Sequence, residues 1–136
     1  MKASVRYCSR SGNTKAIAEA IASEVGVTAA SVKDGLDDPV DILFLGGALY
    51  AGGLDRALVS FIQKLDNSIV KQAAVFGTTA SPSSAAQKIK ELLEARGVSV
   101  ADVSFDCRGK FLFAAKGRPN EEDKAAAKAF AQQLLG

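Results

Sequence analysis

Residues 3–26 read ASVRYCSRSGNTKAIAEAIASEVG, which is a short apolar run, a polar loop and a helical pattern in direct succession. The run from Ala3 to Tyr7 has the length of a strand. From about Thr14 to Val25, apolar residues recur on one stripe at helical spacing. Gly26 follows at the position where a left-handed glycine commonly ends a helix. This stretch therefore predicts a strand that enters a helix through a polar loop.

The same alternation continues along the rest of the chain. Further strands are predicted at residues 27–32, 42–45, 73–77 and 98–105, and further helices at 54–65, 82–96 and 121–135. Gly46 and Gly47 are expected to end the third strand, and the run from Phe111 to Phe113 to extend or continue the last one. Ser81-Pro82 and Asn120 are expected to begin the last two helices.

This order of elements indicates a fold class. Strands that alternate with helices form a parallel sheet with helices on both faces. The 136 residues, of which 48% are apolar, can bury the core of one ordinary domain without staples. We therefore predict a single α/β domain over residues 1–136, a doubly wound sheet of five parallel strands.

Composition excludes several kinds of function. The chain has no histidine, so mechanisms that need imidazole are excluded. Cys8 and Cys107 form no CxxC pair, and a zinc site is not expected. A net charge of +2 is too weak to indicate nucleic acid. With no signal peptide and no run of 18 apolar residues, we expect a cytoplasmic protein with reduced thiols and no membrane span.

Three loops of unusual composition follow the first, third and fourth predicted strands. They are the segments Cys8–Asn13, Ala48–Gly53 and Thr78–Ser84. Open parallel sheets bind ligands beyond the carboxyl ends of their strands, where the strand order reverses. The ligand site is therefore expected at these three loops.

The first loop has the composition of an anion site. Three hydroxyl side chains, a glycine and an asparagine lie within the six residues from Ser9 to Thr14, directly at a helix start. A well-capped turn would have the same composition, and spacing alone leaves both interpretations open. The motifs GxxxxGK[ST] and GxGxxG are absent here. Thr14 stands where a Cys-x5-Arg phosphatase would need arginine, and Tyr7 and Cys8 stand where a receiver domain would need acids.

At this point the sequence resembles the flavodoxin family. Tyr7–Thr14 is similar to the flavodoxin signature Ser/Thr-x-Ser/Thr-Gly-Asn-Thr, and Asp41–Gly46 to the third strand of that family. Ala48–Gly52 resembles the loop that contacts the flavin ring. The resemblance implies the strand order 2-1-3-4-5 with flavin mononucleotide (FMN) at the switch point, as in flavodoxins.

The resemblance also assigns the site residues. For the FMN phosphate, Ser9, Ser11 and Thr14 would supply hydroxyls, and Arg10, Gly12 and Asn13 would supply backbone N–H groups. The Arg10 side chain is interpreted as pointing to solvent, the alternative being a contact to the phosphate. For the ring, one side would be contacted by Ala48, Leu49, Tyr50, Ala51, Gly52 and Gly53, and the other by Thr78, Thr79 and Ala80.

Some of these assignments have ordinary structural alternatives. Tyr50 would lie against the isoalloxazine, or be a half-buried tyrosine at the sheet edge. Gly52 and Gly53 would turn near the flavin N5, or form a plain turn before a helix. Cys8 is interpreted as a small buried hydrophobe, the alternative being a thiol activated by the helix start. The segment around Cys107 would border the flavin or be a loop.

The resemblance implies an FMN-binding electron-transfer protein with no catalytic residues of its own and no metal. The alternatives are an FMN-dependent reductase or oxidase of a quinone or similar acceptor, and a flavodoxin-like domain that does not bind FMN tightly. The loop from Thr78 to Ser84 lacks the aromatic and acidic residues of well-studied flavodoxins, and the chain lacks their acidic charge. We therefore expect an unidentified redox partner that differs in charge from theirs.

Overall fold

The structure, a computed structural model, describes residues 2–10, 12–50, 53–78, 85–107 and 121–135. The strands are β1 (Ala3–Tyr7), β2 (Ala30–Ser31), β3 (Val40–Tyr50), β4 (Gly53–Leu54), β5 (Val70–Thr78), β6 (Ser99–Val100) and β7 (Phe105–Cys107). The helices are α1 (Asn13–Val25), α2 (Arg56–Gln63), α3 (Ala85–Ala95) and α4 (Glu121–Leu135), with a 3-10 turn at Val32–Asp34. The predicted features at Ser81-Pro82, Phe111–Phe113 and Asn120 lie outside the described residues.

The sheet has the predicted parallel order. Its strands run β2-β1-β3-β5-β6, and β7 pairs with β5 further along the same strand. The predicted fourth strand is β5, and the predicted fifth is divided into β6 and β7. The order 2-1-3-4-5 is thus confirmed, with the fifth position occupied by two short segments, β6 and β7, and with the antiparallel β4 added beside β3.

The prediction that Gly46 and Gly47 end the third strand is wrong. Both glycines are paired in the parallel ladder, opposite Phe76 and Gly77 of β5. A Cβ on Gly46 would lie 2.0 Å from the Phe76 ring, and one on Gly47 would lie 2.5 Å from Leu58 Cδ2. The missing side chains therefore make room for neighbouring core residues, and they do not mark a turn.

Residues 48–50 and 53–54, on either side of the two residues that the structure does not describe, are the paired strands of a hairpin, whereas a single loop was predicted over 48–53. Residues 48–50 complete β3, and the chain returns as β4, antiparallel to β3, with Leu49 opposite Leu54 and Tyr50 opposite Gly53. Leu54 was predicted to begin the second helix but belongs to β4. The helix starts at Arg56, because Asp55 caps it by accepting from the Ala57 N–H at 2.8 Å.

The predicted second strand is also much shorter than residues 27–32. Only Ala30 and Ser31 pair with β1. Ser31 Oγ then accepts from the Lys33 N–H and begins the 3-10 turn, which ends at Gly35 with φ +72°. The crossover from β2 to β3 contains this turn in place of a helix.

Helices cover both faces of the sheet, as predicted for a doubly wound fold. On one face, α2 and α3 pack on alternate residues of β3, with Leu43 and Leu45 fully buried among Leu58, Ile62, Ile89 and Leu93. On the other face, α1 and α4 cover Val5, Ile42, Phe44 and Phe76. The Phe44 and Phe130 rings meet edge to face, with centroids 6.1 Å apart. Among the described residues, no helix has the length and apolar character needed to cross a membrane.

Candidate functional site

The carboxyl ends of the three central strands lie at the same edge of the sheet. Tyr7, the last residue of β1, pairs with Gly46, and the Cys8 N–H donates to the Gly46 carbonyl at 3.0 Å. Ala48 pairs with Thr78, the last residue of β5. The first loop, the hairpin and the segment after β5 therefore begin close together, as the parallel topology requires.

The start of α1 is suited to an anion. Its N-cap is Gly12, whose φ of +92° favours glycine and whose residue type offers no capping oxygen. The first turn contains no acidic residue. The first N–H groups of a helix have no partner within the helix, and the helix dipole adds positive potential there. A phosphate or carboxylate at this end would supply the acceptors that a capping side chain otherwise provides.

The loop before α1 is held by an internal hydrogen bond. The Gly12 N–H donates to Ser9 Oγ at 3.0 Å. The sequence had assigned this N–H and this hydroxyl separately to a ligand. The Ser9 oxygen accepts here, and its hydroxyl hydrogen remains a donor group. The bond closes a tight turn immediately before the helix start.

Thr14 faces the core end of the site. Its Oγ1 lies 2.6 Å from Thr78 Oγ1, and the two residues are 1% and 3% exposed. One of these hydroxyls donates to the other, which leaves a single hydroxyl hydrogen for a third group. The pair joins the first turn of α1 to the end of β5, so two of the predicted ligand segments are in direct contact.

Arg10 pairs with a carboxylate that the sequence analysis did not single out. Its Nε donates to Asp55 Oδ2 at 2.9 Å, and the two side chains are 59% and 19% exposed. The Ala57 N–H and then the Arg10 guanidinium hold the pKa of Asp55 below its ordinary value, and Lys33 adds in the same direction. The Arg10 side chain is thus more than half exposed, and its Nε is bound to Asp55. An aspartate directly before an apolar helical stripe is a capping signal that could have identified Asp55.

Cys8 has the properties of a buried apolar side chain. It is 7% exposed and belongs to the core cluster beneath α2 and α3. Burial raises the pKa of its thiol, and the negative charge of Asp55 raises it further. The structure therefore favours the small buried hydrophobe over the activated thiol. The backbone of Cys107 pairs with Thr78 in β7.

The described residues divide the predicted site into two groups. The first group lies at or near the edge where β1, β3 and β5 end and consists of Ser9, Arg10, Gly12, Asn13, Thr14, Ala48 and Thr78. Leu49, Tyr50 and Gly53 form the hairpin beyond that edge. Ser11, Ala51, Gly52, Thr79 and Ala80 lie outside the described residues. No group of three or more acidic or cysteine residues within the described segments could hold a metal ion.

Comparison with known proteins identifies the family. The model of the flavodoxin domain family matches residues 4–109, so this chain belongs to that family. An uncharacterized protein of Methanocaldococcus jannaschii is 27% identical over 150 residues, which cover 99% of each chain. The predicted family is confirmed.

Solved structures agree with this assignment. A flavodoxin from the domain Archaea has a TM-score of 0.75 and 26% identity, covering 98% of this chain and 96% of its own. Oxidised flavodoxin 2 of Bacillus cereus has a TM-score of 0.76 and 22% identity, covering 99% and 98%. The flavodoxin-like α/β fold is therefore confirmed over nearly the whole chain.

Proposed function

We propose that this chain binds FMN at the carboxyl edge of its sheet and serves as an electron carrier. The observation that carries the proposal is the start of α1, where a left-handed Gly12 precedes a first turn with neither a capping side chain nor an acidic residue. The flavodoxin relatives support FMN as the occupant, because flavodoxins are flavin proteins.

The residues at this edge fit a phosphate group. A phosphate monoester carries close to two negative charges at neutral pH and accepts several hydrogen bonds. The first N–H groups of α1, the Ser9 hydroxyl and the Thr14–Thr78 pair form a donor set of matching kind. No acidic side chain of the first turn opposes that charge, and the only nearby carboxylate, among the described residues of the loop and the α2 start, is paired with Arg10.

The hairpin and the end of β5 are the proposed neighbours of the flavin ring. Leu49 and Tyr50 continue β3 beyond the Ala48–Thr78 pair, and Gly53 pairs with Tyr50, so a molecule held at the α1 start could extend toward them. FMN supplies the redox chemistry when it is bound, and the chain binds and orients it. Ala51, Gly52, Thr79 and Ala80 are included in the proposal on the family resemblance.

Reconstitution tests the proposal. Flavin-free protein mixed with FMN and passed through a gel-filtration column should emerge yellow with one FMN per chain. The fluorescence of the bound FMN should be quenched. If the protein emerges colourless and the added FMN keeps its full fluorescence, the proposal is contradicted and a flavodoxin-like interaction module is supported.

Turnover then separates a carrier from a reductase. Under anaerobic conditions with excess reductant, the reconstituted protein should transfer electrons to acceptors but should not reduce quinones through many catalytic cycles. Many quinone turnovers per chain would instead support an FMN-dependent reductase.

A further inference from the structure

One carboxylate connects two separate parts of the site. Asp55 follows β4 directly, and its Oδ1 accepts from the Ala57 N–H at 2.8 Å, which begins α2. Its Oδ2 accepts from Arg10 Nε at 2.9 Å. Arg10 lies in the loop between β1 and α1, two residues before the N-cap Gly12. Asp55 therefore links the anion-binding loop to the base of the hairpin.

Helix capping accounts for only one of the two carboxylate oxygens. An aspartate N-cap needs a single acceptor, yet the second oxygen of Asp55 binds a guanidinium 45 positions away in sequence. Asp55 is 19% exposed and fixed by the cap, whereas Arg10 is 59% exposed. The carboxylate is thus the anchored partner, and the long arginine side chain reaches it from the loop.

We propose that Asp55 is a positioning residue for the anion-binding loop, which it holds in place by fixing Arg10. The inference rests on the proposed function, since the loop is the proposed phosphate site. The Gly12 N–H to Ser9 Oγ bond closes the loop from within, and the Arg10–Asp55 pair fixes it from outside. A loop that is already ordered loses less conformational entropy when a ligand binds.

Two possible roles of Asp55 predict opposite effects of the Asp55→Asn substitution. Asparagine keeps an oxygen that can cap α2, but it removes the negative charge that pairs with Arg10. If Asp55 acted only as a charge near the site, its loss would remove negative charge close to Arg10 and Lys33 and would strengthen anion binding. If it positions the loop, its loss weakens anion binding in spite of the added positive charge.

A titration with flavin measures whether Asp55→Asn weakens or strengthens FMN binding. We expect Asp55→Asn and Arg10→Gln each to weaken FMN binding about threefold to fivefold, the size expected of a partly exposed ion pair. The double variant should be little weaker than either single variant, and riboflavin, which lacks the phosphate, should bind all forms alike. Asp66→Asn is the matched control, because it makes the same change in net charge. Asp66 accepts from the Ser68 N–H in a distant turn.

Unchanged or tighter FMN binding by Asp55→Asn would overturn the positioning role, and so would an equal loss of riboflavin affinity. A wild-type protein that binds no FMN would contradict the proposed function instead. The positioning role has its own readout in the flavin-free protein, the hydrogen exchange of the Gly12 N–H. Its exchange should be about threefold to fivefold faster in Asp55→Asn and Arg10→Gln, with the α2 amides of Asp55→Asn unchanged. Unchanged Gly12 exchange would overturn the proposal whether or not FMN binds.

Discussion

Thr14 Oγ1 and Thr78 Oγ1 lie 2.6 Å apart at the junction of the first turn of α1 and the end of β5, and both residues are almost completely buried. The two positions are 64 residues apart in sequence. One hydroxyl donates to the other, and no described buried side-chain polar atom lacks a hydrogen-bond partner. The pair therefore stabilises the site in the absence of any ligand.

Removing one hydroxyl of this pair should destabilise the protein, because it leaves the other hydroxyl buried without its partner. Thr78→Val keeps the shape of the side chain and leaves the Thr14 hydroxyl buried without its partner, at a cost of about 1–3 kcal/mol. The Thr14→Val/Thr78→Val double variant should cost less than the sum of the single variants. Urea unfolding measures all three, with Thr28→Val at an exposed position as the control. Strictly additive losses would contradict the pairing.

Gly46→Ala should destabilise the sheet by overpacking. The added Cβ would lie 2.0 Å from the Phe76 ring, and overpacking of a core typically costs about 1–3 kcal/mol. Phe76→Leu by itself should also destabilise, but the combination with Gly46→Ala should recover part of the loss. Thermal unfolding of the three variants tests this, and a Gly46→Ala protein as stable as wild type would contradict the account of this glycine.

Acidification should remove stability that depends on Asp55. Its pKa is held below the ordinary value of 3.8 in the folded protein by the Ala57 N–H and Arg10. A lowered folded-state pKa contributes stability above the unfolded pKa, and that stability is lost as the pH falls through the folded-state pKa. Between about pH 5 and pH 2, the free energy of unfolding should therefore fall more steeply for wild type than for Asp55→Asn. Asp41 and Asp66, whose pKa values are also lowered, are common to both proteins. Parallel pH profiles would contradict this contribution of Asp55.

Cys8 should react slowly with alkylating reagents. Burial raises the pKa of its thiol, and the thiolate is the reactive form. In a Cys107→Ser background, iodoacetamide at pH 7.5 should modify Cys8 at least about tenfold more slowly in the folded protein than in urea. Equal rates in the two states would show that the thiol is accessible.

Local periodicity carried most of the fold. The strand, polar loop and helix of residues 3–26 are found as predicted, and Gly26 ends α1 with φ +88° and an N–H bond to the Ala22 carbonyl. These features depend on neighbours within a few residues, so the sequence pattern specifies them. The parallel order followed from the alternation of elements together with the family resemblance.

The relationships that the sequence did not predict depend on contacts between residues that are far apart in the chain. Gly46 and Gly47 look like turn residues, and their role becomes visible only beside Phe76 and Leu58. The direction of the Arg10 side chain depends on Asp55, and neither spacing nor composition connects the two. Periodicity describes each segment separately, whereas these relationships are set by how segments pack together.

The start of α1 is proposed to bind the phosphate of FMN, and the most direct test is a fluorescence titration of flavin-free protein with FMN and with riboflavin. Hydrogen bonds to a charged group contribute about 1.5–3 kcal/mol, so wild type should bind FMN at least about tenfold more tightly than riboflavin. Lys15→Glu places an acid in the first turn of α1, where Lys15 is exposed.

This substitution should weaken FMN binding, leave riboflavin binding unchanged, and raise the free energy of unfolding by about 0.3–1 kcal/mol through the helix dipole. Lys15→Gln is the matched neutral control and should fall between wild type and Lys15→Glu. Equal affinities for FMN and riboflavin, with no response of FMN binding to Lys15→Glu, would contradict the claim.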